Sequence, residues 1–290
     1  SLKMIVQNKH TGLFVLLCLL LVGVVFINIS LGSVDIPLQE IFNSIVGTSS
    51  KSSWHYIITN YRLPKAITAI ITGGGLAISG LLMQTLFRNP LAGPFVLGIS
   101  SGASLGVAIL ILGAGAISGI FSTFLLSPWS LVMAGALGSF LVLLAVLGVT
   151  LKVKDTMAIL IIGLMFGSLT GALVAVLSYF SDAEQLQQFV FWSLGSLGNL
   201  TWQGVAIISL CYFIGILLSI YSAKSLNALL LGENYAKSMG LKIKKNMLVI
   251  IVATSILAGG ITAFVGPIAF VGLAVPHLTR QFIKTSNHFV

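Results

Sequence analysis

Charge is scarce in this chain. Only 7% of its 290 residues are Asp, Glu, Lys or Arg, whereas a water-soluble domain carries roughly a quarter. That shortage excludes a soluble globular domain, because so little charge cannot cover a surface in water. Acid is scarcer still, with 6 acidic against 15 basic residues and a formal net charge of +9. The lysines sit between apolar runs and not on one polar face, which excludes a nucleic-acid interface. The 2 cysteines, Cys18 and Cys211, both lie inside apolar runs and offer neither a disulfide framework nor metal-ligand spacing. No P-loop pattern occurs, so the chain has no motif for hydrolysing ATP itself.

What is present is apolar sequence. The chain is 57% hydrophobic, with a mean hydropathy of +1.08. Runs of about 20 apolar residues are long enough to cross a bilayer. Eight spans are predicted, near residues 12–31, 64–86, 94–113, 129–150, 156–180, 203–222, 247–264 and 267–279. The expected fold is an all-α, polytopic transmembrane bundle in one domain over residues 1–290. The first run follows Lys3 and Lys9 but is too long for a signal-peptide core and lacks a small-x-small site, so it is expected to be a retained span. The last is short, with a break expected at Pro276.

Alternate loops differ in charge. One set holds Lys3, Lys9, Arg88, Lys152, Lys154, Lys224, Lys237, Lys242, Lys244, Lys245, Arg280 and Lys284; the other holds only Lys51, Arg62 and Lys65. Basic residues concentrate on the cytoplasmic side, so the N-terminus is predicted to be cytoplasmic. No span centre carries an acidic or basic residue. Ion-coupled carriers usually keep one for coupling, so the energy source is expected on a separate subunit.

Two glycine stripes, Gly98, Gly102, Gly106 and Gly163, Gly167, Gly171, each place small residues on one helix face, where backbones can approach closely within a membrane. Helix packing is the simpler reading. The run Gly102-Ala-Ser104-Leu-Gly106 has the spacing of a nucleophile elbow, but that device needs a strand-to-helix turn and a histidine partner. Here it falls within a span. His277 has no second histidine, cysteine or carboxylate near it in sequence, so no metal site is expected.

The polar segment from Lys224 to Lys245 reads as a helix, a turn at Gly232, and a second short helix. Glu233 near its start suits the helix dipole, and Gly240 suits its end. Ala236 and Met239 are expected to share one side of it. Such a helix fits a groove of a soluble partner, or the surface of anionic lipid.

Residues 62–102, RLPKAITAIITGGGLAISGLLMQTLFRNPLAGPFVLGISSG, and residues 266–280, GPIAFVGLAVPHLTR, carry a family resemblance. In order and spacing they resemble the membrane permease subunit of FecCD-type ABC importers, which carry iron-siderophores, haem and cobalamin. The resemblance implies ten spans, two of them beyond residue 290. It implies a second permease subunit, two ATPase subunits carrying ATP and magnesium, and an extracytoplasmic binding protein, in a bacterial plasma membrane. No cofactor is expected on this chain.

The resemblance also implies roles for particular residues. Arg62 and Lys65 would form salt bridges to glutamates of the binding protein, with lysine at 65 where arginine is more usual. Asn89 and Leu91, in the hairpin Arg88–Pro94, would narrow the cytoplasmic mouth of the pore together with Thr156 and Met157. The Gly163, Gly167, Gly171 stripe would border the pathway. Gly232, Ala236 and Gly240 match the Gly-x-x-x-Ala-x-x-x-Gly pattern of the coupling helix, so Gly232, Glu233, Ala236, Met239 and Gly240 would meet the ATPase. Ferric siderophore is the expected cargo, with haem, cobalamin or an oxyanion such as molybdate as alternatives. A secondary transporter is the rival of another class.

Overall fold

A computed structural model describes residues 2–113, 128–153, 155–285 and 287–288, with side chains from residue 11 except at 128, 147, 150, 151, 156 and 233. Lys154 therefore lies outside the described residues. The described residues are helical or irregular, with no strand among them. The helices are α1 (Leu2–Ser30), α2 (Leu38–Val46), α3 (Ser52–Ile57), α4 (Leu63–Leu86), α5 (Ile99–Gly113), α6 (Pro128–Lys152), α7 (Thr156–Phe180), α8 (Ala183–Ser193), α9 (Trp202–Leu230), α10 (Glu233–Ser238), α11 (Ile243–Val265) and α12 (Val271–Phe282).

Among the described residues, six helical stretches are long and apolar enough to cross a membrane: Thr11–Ser30, Ser52–Leu86, Trp129–Val146, Met157–Phe180, Trp202–Leu230 and Ile243–Val265. The expected span at 64–86 is the end of a continuous element of 35 residues. α3 runs into α4 through one π-helical turn, Ile58–Arg62. At 1.5 Å per residue that element is about 50 Å long, so it outreaches a hydrocarbon core of about 30 Å.

Two expected spans are corrected. Residues 94–113 divide into a 3-10 turn, Pro94–Leu97, and α5, which has 15 residues. Gly98 separates them at φ +71. Residues 267–270 are not helical, and α12 is a helix of 12 residues with Pro276 inside it. The chain breaks before the proline, not at it: Phe270 stands at φ 66 as the N-cap of α12. About 18 Å of helix does not cross a bilayer.

The chain forms two compact units, one of Ser1–Ile70 with Leu197–Ala206 and one of Ile71–Ser196 with Ile207–Phe289. The first unit is centred on Ile29, Ile36, Ile41, Ile58 and Ala66. The second holds a core in which Leu82 and Met83 of α4, Ile99 of α5, Val146 of α6 and Ile250 of α11 are buried together.

Close helix packing in the second unit follows the glycines. A Cβ at Gly102 would lie 2.6 Å from the Gly138 carbonyl, one at Gly138 would lie 2.0 Å from the Gly102 carbonyl, and one at Gly106 would lie 2.1 Å from the Ala134 carbonyl. α5 and α6 therefore touch backbone to backbone, as a small-residue interface permits. The Gly102–Gly106 run lies wholly within α5, without the elbow a nucleophile would need.

Candidate functional site

Arg62 does not present its charge to solvent. It is only 8% exposed. Its Nη1 donates to the carbonyls of Ile29 at 2.6 Å and Ser30 at 2.8 Å, and its Nη2 donates to the carbonyl of Val34. The last carbonyls of a helix have no partner within the helix and carry its negative pole. Arg62 thus caps the C-terminus of α1 from the π-helical turn. Gly32 makes room for it, since a Cβ there would meet Nη2 at 2.7 Å. The expectation that Arg62 is free to meet a partner's glutamate is corrected on this point. Lys65, one turn on, is exposed.

In the Lys224–Lys245 segment the first half continues α9 to Leu230, α10 is a separate short helix, and the last residues from Ile243 begin α11. Gly232 stands before it at φ +116 and Gly240 after it at φ +81. The Gly240 N–H donates to the Lys237 carbonyl at 2.9 Å and the Leu241 N–H to the Ala236 carbonyl at 3.1 Å. These are the two bonds of a Schellman motif, which requires the left-handed residue at Gly240. No atom lies within 4 Å of a Cβ built on either glycine, so their need is conformational and not steric.

Ala236 and Met239 do not share a face. Ala236 is 0% exposed, inside the core with Leu226, Leu229, Met247 and Ile250, while Met239 is 61% exposed. Met239 is already the C-cap, beyond the last helical residue of α10. The outward surface comprises Leu231, 67% exposed, Tyr235, 50% exposed, and Met239, with exposed Lys237 among them. The side chain of Glu233 lies outside the described residues.

The Arg88–Pro94 hairpin is held by its own backbone. The Asn89 N–H donates to the Gln84 carbonyl at 3.1 Å, Asn89 Oδ1 accepts the Leu91 N–H at 2.9 Å, and the Ala92 N–H donates to the Asn89 carbonyl at 3.0 Å. Asn89 is thus an Asx turn-former, and Leu91 projects at 68% exposed. At the start of α7, Asp155 Oδ1 accepts the Met157 N–H at 3.0 Å, a normal N-cap. Met157 is 51% exposed. Ile159 of α7 is buried with Ala92 and Leu97. The 3-10 turn Pro94–Leu97 that follows the hairpin packs against α7, while Leu91 and Met157 are both exposed. The side chain of Thr156 lies outside the described residues.

The Gly163 stripe is divided. A Cβ at Gly163 would lie 2.3 Å from the Val96 carbonyl, and one at Gly167 would lie 3.4 Å from Ser101 Oγ, while nothing stands within 4 Å of Gly171. Its first two glycines are packing contacts with the chain's own turn and α5. The open face of α7 is the other one, with Ile161, Met165, Leu169, Val176 and Tyr179 all exposed. Only 17% of that span is buried, and the face carries no charge.

Near the ends of α4 and α9, His288 bonds to Thr85 Oγ1 at 2.8 Å through Nε2 and to Asn227 Oδ1 at 2.6 Å through Nδ1. Burial first, and the charge of Arg280 second, push its pKa down to about 4, so it is neutral at physiological pH.

Known proteins resemble the chain along its length. The model of the FecCD transport family matches residues 19–290. The hemin transport system permease protein of Yersinia pestis is 34% identical over 273 residues, which cover 92% of this chain and 79% of that protein. A vitamin B12 import system permease protein of Vibrio vulnificus is 34% identical over 292 residues, covering 98% of this chain and 81% of its own. The iron(3+)-hydroxamate import system permease protein of Bacillus subtilis is 34% identical over 276 residues, covering 94% and 69%. A solved structure described as an inward-facing conformation of a putative metal-chelate type ABC transporter superposes with a TM-score of 0.81 at 30% identity, covering 96% of this chain and 83% of that one.

Proposed function

The chain belongs to the FecCD transport family as a multi-pass ABC importer permease, and on that premise we propose that it passes a ferric siderophore across a bacterial plasma membrane. The observation that carries the reading is the open face of α7. It is membrane-long, uncharged and unburied by the chain's own helices. Such a face suits an interface with a second permease copy or homologue, and a pathway that a bulky chelate crosses without strong binding. Haem, cobalamin or an oxyanion are the alternative cargoes. Relatives named for hemin, vitamin B12 and ferric hydroxamate are all 34% identical, so identity alone does not choose among them.

In this reading, ATP and magnesium are bound by two separate ATPase subunits, and rocking of the permease pair alternates access. The N-terminus is cytoplasmic, in keeping with the charge of the loops. On the inner side, Leu231, Tyr235 and Met239 with Lys237 meet the ATPase; Gly232 and Gly240 shape the helix, and Ala236 anchors it from within. On the outer side, Lys65 meets the binding protein and Arg62 holds the surface on which Lys65 stands. Asn89, Leu91 and Met157 narrow the inner mouth. Uptake into vesicles, with ferric hydroxamate, haem and cobalamin offered in parallel alongside the cognate binding protein, tests the cargo. Accumulation of the ferric chelate alone supports the siderophore, and accumulation of haem or cobalamin alone replaces it.

A further inference from the structure

α2 carries an apolar stripe that no described residue of its own unit covers. Ile41 and Ser44 are buried against the chain, while Leu38, Phe42, Ile45 and Val46 are 57%, 54%, 55% and 75% exposed. At 100° per residue those four fall within an arc of about 100°. The polar residues Gln39, Glu40 and Asn43 occupy a separate arc. Glu40 is engaged there: it accepts from Asn43 at 3.2 Å, from Ser49 Oγ at 3.0 Å and from the Ser50 N–H at 3.0 Å. The Ser50 N–H foremost, with the Ser49 and Asn43 bonds, holds its carboxyl below the usual range, so the polar arc keeps a charge.

The stripe continues an apolar wall. The Phe42 ring stands 5.3 Å from that of Phe26 on α1. The α1 span is only 6% buried, and Val15, Leu19 and Val22, which share the Phe26 side of that helix at 100° per residue, are exposed. The same unit carries the residues that favour the boundary between lipid and water. Tyr56 and Tyr61 are exposed, Trp202 Nε1 donates to the Thr59 carbonyl at 2.9 Å, and Lys51 lies 4.3 Å over the Trp54 ring. A helix of 9 residues is about 13 Å long, too short to cross. A short helix with separate apolar and charged arcs lies in the interface plane.

We propose that α2 lies flat on the membrane, with Leu38, Phe42, Ile45 and Val46 buried among lipid acyl chains at the C-terminal end of α1. That is the outer leaflet in the orientation proposed above. The helix then fixes the depth of the α1 end and of the Arg62 cap that grips it. This inference rests on the chain spanning a membrane, and not on cargo or on ATP.

Spin labels test it. In the assembled transporter with Cys18→Ala and Cys211→Ala, reconstituted in phosphatidylcholine vesicles, nitroxides are placed singly at Phe42→Cys, Ile45→Cys, Val46→Cys, Gln39→Cys and Thr48→Cys. Collision with oxygen, which partitions into lipid, is compared with collision with a water-soluble nickel chelate. The expected result is oxygen in excess at positions 42, 45 and 46 and nickel in excess at 39 and 48. Nickel in excess at 45 and 46 overturns the proposal, because the stripe then faces water. Exclusion of both reagents there also overturns it, because protein, such as a second permease copy, then covers the stripe. Val46→Cys has no ring partner to lose, so it decides the matter if the Phe42 variant fails to insert. Uptake measured on the same vesicles reports on the transport reading separately.

Discussion

Gly80 of α4 and Gly272 of α12 meet backbone to backbone: a Cβ at Gly80 would lie 1.6 Å from the Gly272 carbonyl oxygen. Pro276 explains why that carbonyl is available, because a proline four residues on has no N–H to bond it. One turn further along α4, Gln84 Nε2 donates to the Leu273 carbonyl at 3.1 Å. The two helices are thus joined through the first turn of α12.

Gly80→Ala is expected to force α12 away from α4. Overpacking costs roughly 1–3 kcal/mol, and here the obstacle is backbone and not a flexible side chain. Thermal unfolding of the purified protein should show a lower midpoint for Gly80→Ala and little change for Gly73→Ala, whose Cβ meets nothing within 4 Å. Equal midpoints would contradict the contact.

Arg62 and Lys65 are expected to separate stability from docking. Hydrogen bonds to a charged donor are worth about 1.5–3 kcal/mol, and Arg62 makes three. Arg62→Gln should lower the unfolding midpoint markedly. Lys65→Glu should leave it unchanged and weaken binding-protein association by the amount of an exposed pair, about 0.2–1 kcal/mol. A stable Arg62→Gln protein with lost docking would restore Arg62 as the contact.

The outward face of α10 is expected to carry ATPase coupling. Met239→Glu with Tyr235→Ser should leave the permease folded but reduce co-purification of the ATPase. Ala236→Trp should instead damage the fold, since Ala236 is wholly buried. Normal assembly of the double variant would move the contact elsewhere.

Much of the fold was legible because bilayer crossing depends on length and apolarity alone: α6, α7, α9 and α11 lie where the runs of hydrophobic residues put them. The short elements were not, because composition does not distinguish a span from 12 residues packed on a neighbour, as in α12. Side-chain direction was also hidden. Ala236 matched a motif, but its burial is decided by Met247 and Ile250 of the next helix. Arg62 looked free because its partners are carbonyls about 30 residues earlier, and carbonyls leave no mark in sequence. The Gly163 stripe was visible, but not that its first glycine sits on the Val96 carbonyl, which turns the opposite face of α7 outward.

Orientation is tested by single cysteines in a background lacking Cys18 and Cys211. Positions 50 and 183 should react with an impermeant thiol reagent added from outside, and positions 153 and 235 should not. Labelling of the opposite pair would invert the topology.

The most direct measurement is cargo accumulation in vesicles that hold the assembled transporter with its binding protein outside, comparing ATP trapped inside with an imposed proton or sodium gradient. Accumulation that requires ATP and persists when protonophore collapses the gradient is the expected result. Accumulation that follows the ion gradient without ATP would contradict the account and favour a secondary transporter.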